Sequence, residues 1–148
     1  MSQLAWELMH SVETEATPAF AWTYMTNVAN WDDPPAEFEL EGPFAAGSRG
    51  TSRLPGQEPL QWHIQEVSPT RSYRIEALLD GAYLSFEWGF DELADGRTRL
   101  TQRVVLEGDN AAAYAEQVQA AFTSSLPAGM NRIAAAMARA EASGSRAS

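Results

Sequence analysis

The 148-residue chain is 45% hydrophobic and carries 20 acidic residues against 10 basic ones, a net charge of −10. That size and apolar content suit one domain with its own core, and the acidic balance, with no Lys/Arg cluster, excludes nucleic acid and anionic membranes as partners. Without cysteine there are no disulfides, thiol chemistry or thiolate metal sites; with no apolar run of spanning length and no leader segment, the chain reads as cytoplasmic, without membrane insertion.

From Leu4 to Thr14 the residues alternate, with Leu4, Trp6, Leu8, His10 and Val12 on one face and Glu7, Ser11 and Glu13 on the other. This is a half-buried strand. Ala16-Thr17-Pro18 stops it, and Thr17 with Pro18 starts a short helix carrying Phe20, Ala21, Trp22 and Met25 to about Thr26. A second short helical turn, Asn27 to Trp31, ends at Asp32-Asp33-Pro34-Pro35, where two prolines forbid helix.

Beyond that point the period is two. Strands are expected at 37–41, 48–54, 60–67, 72–79, 82–93 and 98–106. Their inward sets include Leu60, Trp62 and Ile64, then Tyr73, Ile75, Ala77 and Leu79. Leu84, Phe86, Trp88 and Phe90 follow, and finally Leu100, Gln102, Val104 and Leu106. Asp80-Gly81 and Asp95-Gly96 mark tight turns, because Asp and Gly tolerate the positive φ such turns need.

The stretch from Asp109 to Ala142 is helical in period: Tyr114, Val118, Phe122, Leu126, Met130, Ile133 and Met137 form one apolar stripe, with alanines filling much of the rest. Asp109 and Asn110 are placed to cap its start. A straight helix of this length would run about 50 Å, while the domain's radius of gyration is about 15 Å, so the helix crosses the whole molecule. Pro127 lacks an N–H for the Thr123 carbonyl and predicts a kink. Residues 143–148 read as a disordered tail after a single domain at 1–142.

The order is strand, two short helices, six antiparallel strands and a long helix. A lone helix covers the apolar face of seven strands only if the sheet curls around it. The curl leaves space between sheet and helix, to be filled by side chains or by a ligand. His10 and Gln102 are the polar groups on the inward face. For His10 the plain reading is a core histidine bonded to backbone; the functional one is a ligand contact or an acid/base group, with Tyr114 or Glu66 as partners. Gln102 needs a partner of some kind, whether water, a neighbouring strand or a ligand atom. Trp62, Phe86, Trp88, Tyr114 and Phe122 are of types more often core than binding site, yet an aromatic-rich wall is what an apolar pocket looks like. Ser125, beside the kink, adds a hydroxyl. His63 falls on the outer face, so the two histidines cannot share a metal ion, and no metal or cofactor is expected.

The whole pattern resembles the START-like (SRPBCC) superfamily, which includes polyketide cyclase/dehydrase-like proteins and the birch pollen allergen. The resemblance rests on Ala16-Thr17-Pro18-Ala19-Phe20-Ala21-Trp22, Trp31, Gly42-Pro43-Phe44 with Gly47-Ser48, Trp62 to Pro69, and Asp95-Gly96-Arg97-Thr98-Arg99-Leu100. It implies an α+β helix-grip fold: a seven-stranded curved antiparallel sheet wrapped on a long kinked C-terminal helix, with two short helices after the first strand. It also implies a deep cavity with its mouth near Trp22, Tyr24 and Trp31, where the Tyr24 hydroxyl would reach a ligand. The function implied is binding or carriage of a hydrophobic small molecule, lipid-like or aromatic polyketide-like. Alternatives are a cyclase/dehydratase using the same cavity, with His10 as acid or base, and a co-chaperone-like interaction module with a protein partner not identified by sequence.

Overall fold

The computed structural model describes residues 4–31 and 37–147. The elements run β1 (Leu4–Thr14), α1 (Pro18–Met25), a 3-10 turn (Val28–Asn30), β2 (Glu37–Glu41), β3 (Arg49–Arg53), β4 (Leu60–Ser68), β5 (Ser72–Leu79), β6 (Ala82–Glu92) and β7 (Thr98–Glu107). A second 3-10 turn (Ala111–Ala113), α2 (Ala115–Phe122) and α3 (Ser125–Ala147) complete the chain. The helix stop expected at Asp32-Asp33-Pro34-Pro35 lies outside the described residues, as does Ser148.

All seven strands form one antiparallel sheet in the order β1-β7-β6-β5-β4-β3-β2. The hairpin glycines Gly81 and Gly96 have φ of 77° and 87°, the left-handed backbone that the Asp-Gly turns call for. Register aligns the inward residues in rows across the strands. One row runs Trp6, Leu106, Leu84, Ala77, Trp62, Gly50 and Leu40. The next runs Leu8, Val104, Phe86, Ile75 and Ile64, and a third His10, Gln102, Trp88, Tyr73 and Val67. Leu4 does not join them. A register shift between Leu4 and Trp6 turns it outward, and it is 59% exposed.

Gly50 is glycine for a steric reason: a Cβ there would lie 2.1 Å from the Trp62 indole, which covers the backbone at this point. Trp62 is held in place by donating from Nε1 to Ser52 Oγ at 3.0 Å and by Trp31, 5.6 Å away between ring centroids.

The start of α1 follows the sequence signals. Thr17 Oγ1 accepts from Phe20 N–H, and Pro18 occupies the first helical position. The expected cap at Asp109 and Asn110 is not formed. Asn110 Nδ2 instead donates to Asp80 O at 3.0 Å, and its N–H donates to Gly81 O at 2.8 Å, which pins the β5–β6 turn and leaves a 3-10 turn ahead of α2.

The C-terminal helical run is bent by 38°. Helix α2 stops at Phe122 and α3 begins at Ser125, so the interruption falls at Thr123, whose carbonyl the Pro127 ring crowds. Pro127 itself lies in the first turn of α3, where its missing N–H removes no intrahelical bond. Thr123 Oγ1 donates to Gln119 O at 2.7 Å and Ser125 Oγ to Ala121 O, back-bonds that bend a helix further. Helix α3 continues to Ala147, past the disordered tail expected from Ser143: the alanine-rich turns before it nucleate the helix, and propagation adds one backbone bond for each residue fixed.

Leu126, Met130, Ala134 and Met137 of α3 are buried against the sheet, with Ile133 half-buried beside them. Two hydroxyls fix the helix to the start of the chain: Thr14 Oγ1 donates to Ala134 O at 2.7 Å and Thr17 Oγ1 to Glu141 Oε2 at 2.9 Å.

Candidate ligand-binding site

The concave face of the sheet supplies the site, because period-two strands send every second side chain to it. Three aromatic groups line it. Trp6, Phe86 and Phe122 meet under α2, with the Phe86 and Phe122 ring centroids 5.7 Å apart. Trp22, Phe44, Tyr73 and Phe90 meet under α1, and Trp31, Phe38 and Trp62 meet at the β2–β3 end. The lining is not sealed. Leu8, His10 and Phe86 keep partial solvent access although Val104, between Leu8 and Phe86 in the same row, is fully buried.

Of the expected site residues, His10, Gln102 and Trp88 are direct neighbours in one row, and Phe86 with Phe122 stands beside them. Trp62 is on the same face, two strands further along the sheet than Trp88, packed on Trp31. Tyr24 is half-buried against Phe20 of its own helix. Tyr114 and Ser125 are not brought to this group. Tyr114 stands between the second 3-10 turn and α2, its hydroxyl donating to Asp80 O at 3.3 Å, and the exposed Ser125 spends its hydroxyl on the helix backbone. Glu66 is exposed on β4, three strands from His10's partner strand β7, so His10 gains no carboxylate there. His63 lies on the outer face, half-exposed, with Nε2 3.9 Å from Glu76.

The polar groups of the interior are short of partners. His10 and Gln102 face each other across β1 and β7 with no side-chain hydrogen bond among the described residues, and Gln102 is 8% exposed. Sequence reasoning placed Tyr73 inward but missed its importance. Its side chain is 1% exposed and its hydroxyl has no hydrogen-bond partner among the described residues. Leaving a buried hydroxyl unsatisfied costs about 1–3 kcal/mol. Burial also pushes the Tyr73 phenol well above its ordinary pKa, because the phenolate would be stripped of water. Its place in the alternating inward set of β5 was the available signal.

Two surface hollows flank the sheet. One of about 380 Å³ sits at the β5–β6 turn beside Gly81 and Gly108. The other, about 530 Å³, opens between the start of α1, the β4–β5 turn and the end of β6, and Phe90 is part of its lining. Both border the core: Leu79 and Ala82 line the first, and Phe90 of the second packs on Tyr73 with centroids 6.0 Å apart. Among the described residues no three metal-ligating side chains gather.

A curved seven-stranded antiparallel sheet gripping a long bent C-terminal helix, with an aromatic interior holding a few polar groups, defines a helix-grip protein of the START-like class. The chain belongs to the polyketide cyclase/dehydrase and lipid transport family, whose model matches residues 5–138. Solved structures share the fold at low identity. A norcoclaurine synthase point mutant from Thalictrum flavum, in complex with a transition-state analogue, superposes with a TM-score of 0.71 at 12% identity, covering 95% of this chain and 97% of that one. The same enzyme in complex with dopamine and hydroxybenzaldehyde gives a TM-score of 0.70 at 12% identity, with 97% and 88% covered. The Zhui aromatase/cyclase from a Streptomyces species gives 0.71 at 18% identity, with 94% and 95% covered. No curated protein sequence matches the chain.

Proposed function

We propose that the chain binds and carries a hydrophobic small molecule, lipid-like or aromatic and polyketide-like, between the concave sheet face and the C-terminal helices. The observation that carries this reading is the buried Tyr73 hydroxyl, which has no hydrogen-bond partner among the described residues and shares a row with His10 and Gln102, among aromatic rings on a face that keeps solvent access. Buried polar groups are normally satisfied; a few oriented ones in an apolar wall are what a small-molecule site requires. The family description, which names both cyclisation and lipid transport, is compatible with it. The cysteine-free composition suits the reducing cytoplasm.

A second reading makes the same interior catalytic. Its support is the titratable pair of His10 and Tyr73 in one row of the face, and likeness to structures named as a synthase and an aromatase/cyclase. The chain contains no lysine, so covalent catalysis through a lysine amine is absent, and the role open to His10 and Tyr73 is proton transfer.

The test is native mass spectrometry of protein purified from its own host, followed by denaturing extraction. A co-purifying apolar molecule is the expected result. A clean apo mass, with no thermal shift against a panel of lipids and aromatic polyketides, would overturn the binding reading and favour an interaction module. Incubating the extracted molecule with fresh protein separates carrier from enzyme: the second reading expects turnover that His10→Gln abolishes while binding persists.

A further inference from the structure

The sheet ends in an unpaired strand: β1 is last in the order, and among the described residues no strand lies on its far side. Such an edge presents a row of free N–H and C=O groups, and natural edges are guarded by short length, proline or lysine. β1 has none of these guards. It is 11 residues long and contains neither proline nor lysine. No residue from Leu4 to Glu13 is buried on either face, although Leu100, Gln102, Val104 and Leu106, which β1 meets on β7, all are. Burial begins at Thr14, where the strand is bonded to α3. Met9, in the middle of the strand, is 64% exposed, more than any other large hydrophobic side chain among the described residues. The edge is also locally neutral in a chain of net charge −10, because Glu7 pairs with Arg103 and Glu13 with Arg97 and Arg99.

Independently of what the interior binds, we infer that β1 is the seat of a homodimer, in which two copies pair this strand antiparallel about a two-fold axis at Met9. The side chains choose that register. Met9 meets the partner's Met9, Leu8 the partner's His10, Glu7 the partner's Ser11 and Trp6 the partner's Val12. Inward residues then face inward ones, so the rows of the concave face run on, and no carboxylate opposes another. A two-fold at His10 sets Glu7 against the partner's Glu13, and one at Glu7 sets that carboxylate against its own copy. One at Leu8 leaves Met9 facing a carboxylate. A strand that is self-complementary in this way, in both apolar pattern and charge, fits a second copy of itself. Pairing satisfies the free backbone groups and covers Met9. A single strand pair with its flanking side chains is a small interface, so the dissociation constant is on the order of 10 μM. The net charge of each copy opposes association, and salt strengthens the dimer by screening it.

Sedimentation equilibrium of the parent protein from about 2 to about 200 μM is expected to show the mass rising from 16.2 kDa towards twice that value. Met9→Lys changes an exposed side chain and keeps the fold, as circular dichroism would confirm. It brings two like charges together at the axis, and the dissociation constant is expected to rise about tenfold or more. The absence of cysteine makes the register itself testable. Facing Cα atoms on a two-fold are about 4.5–5.5 Å apart, within reach of a disulfide. Ser11 is exposed like Met9, but its two copies would be about 14 Å apart along the strands. Under mild air oxidation Met9→Cys is therefore expected to cross-link about tenfold faster than Ser11→Cys. A parent protein that stays at 16.2 kDa throughout overturns the dimer and leaves the edge to a strand of another protein. A dimer that Met9→Lys does not weaken, or one that cross-links no faster through position 9 than through position 11, overturns β1 as its seat.

Discussion

At the scale of single residues, Tyr73 links burial, protonation and stability. Its pKa is raised in the folded protein by desolvation and sits near 10 in the unfolded chain. The neutral phenol is therefore favoured by folding, and the stability it contributes is fully present below pH 10. Above that, the unfolded chain releases a proton that the folded one retains, so stability falls with pH by about 1.4 kcal/mol per unit from this group. Urea unfolding between pH 8 and pH 11 is expected to show this loss in the parent protein and a shallower one in Tyr73→Phe, which at pH 8 is as stable or more so because an orphan hydroxyl has gone. Equal slopes in the two proteins would mean that the hydroxyl is hydrated in solution. Tyr73 was legible in the sequence only as an inward residue. What leaves its oxygen without a partner is the arrival of Trp22 from α1 and Phe44 from the β2–β3 connection, and no local spacing announces either. Gln102 was more legible, since an amide in an otherwise apolar inward set draws notice wherever its neighbours come from.

At the scale of elements, the strands were readable because each has one face on the interior, and alternation reports that directly. The strand bounds of β2 and β5 coincide with the alternating runs, while Leu4 departs through a bulge that alternation cannot encode. The helix start failed for a related reason: Asn110 spends its side chain on Asp80, thirty positions earlier, and a competing long-range partner is invisible to a capping rule. Pro127 was a reliable sign of a bend, yet the interruption lies a turn earlier, where its ring meets the Thr123 carbonyl. Pro127→Ala takes the ring away from the Thr123 carbonyl, so that α2 and α3 can join and the new N–H can bond to that carbonyl. In that variant the new amide at position 127 is expected to exchange with solvent at least tenfold more slowly than the amides of Arg53 and Leu54 at the exposed end of β3, and the helical run to be straighter than 38°. Fast exchange at position 127 would show that the back-bonding hydroxyls of Thr123 and Ser125 hold the turn open without the proline.

At the scale of the whole molecule, the interior and the surface follow different logics. The interior is assembled from rows contributed by as many as seven strands, so which candidates meet is a property of register: His10 and Gln102 are direct partners, Trp62 is far along the sheet, and Tyr114 and Ser125 are elsewhere. That is why the fold could be read from periodicity and the composition of the site could not. The surface follows from charge alone. Ten basic residues, all arginine, face twenty carboxylates. Ion pairs such as Arg53–Glu39, Arg103–Glu7, Arg97–Asp95 and Arg99–Glu13 are all substantially exposed. Exposed pairs of this kind contribute about 0–1 kcal/mol each and weaken with salt. Against them stand ten uncompensated negative charges on one small domain, whose mutual repulsion destabilises the compact state and is screened beyond about 8 Å at physiological ionic strength. The repulsion involves every carboxylate, the pairs only a few, so screening the first outweighs loosening the second. Raising sodium chloride from about 20 to about 300 mM at pH 7 is therefore expected to raise the Tm by a few degrees, measured by circular dichroism. A Tm that falls with salt would mean that the arginine pairs, and not the net charge, dominate the electrostatics of this fold.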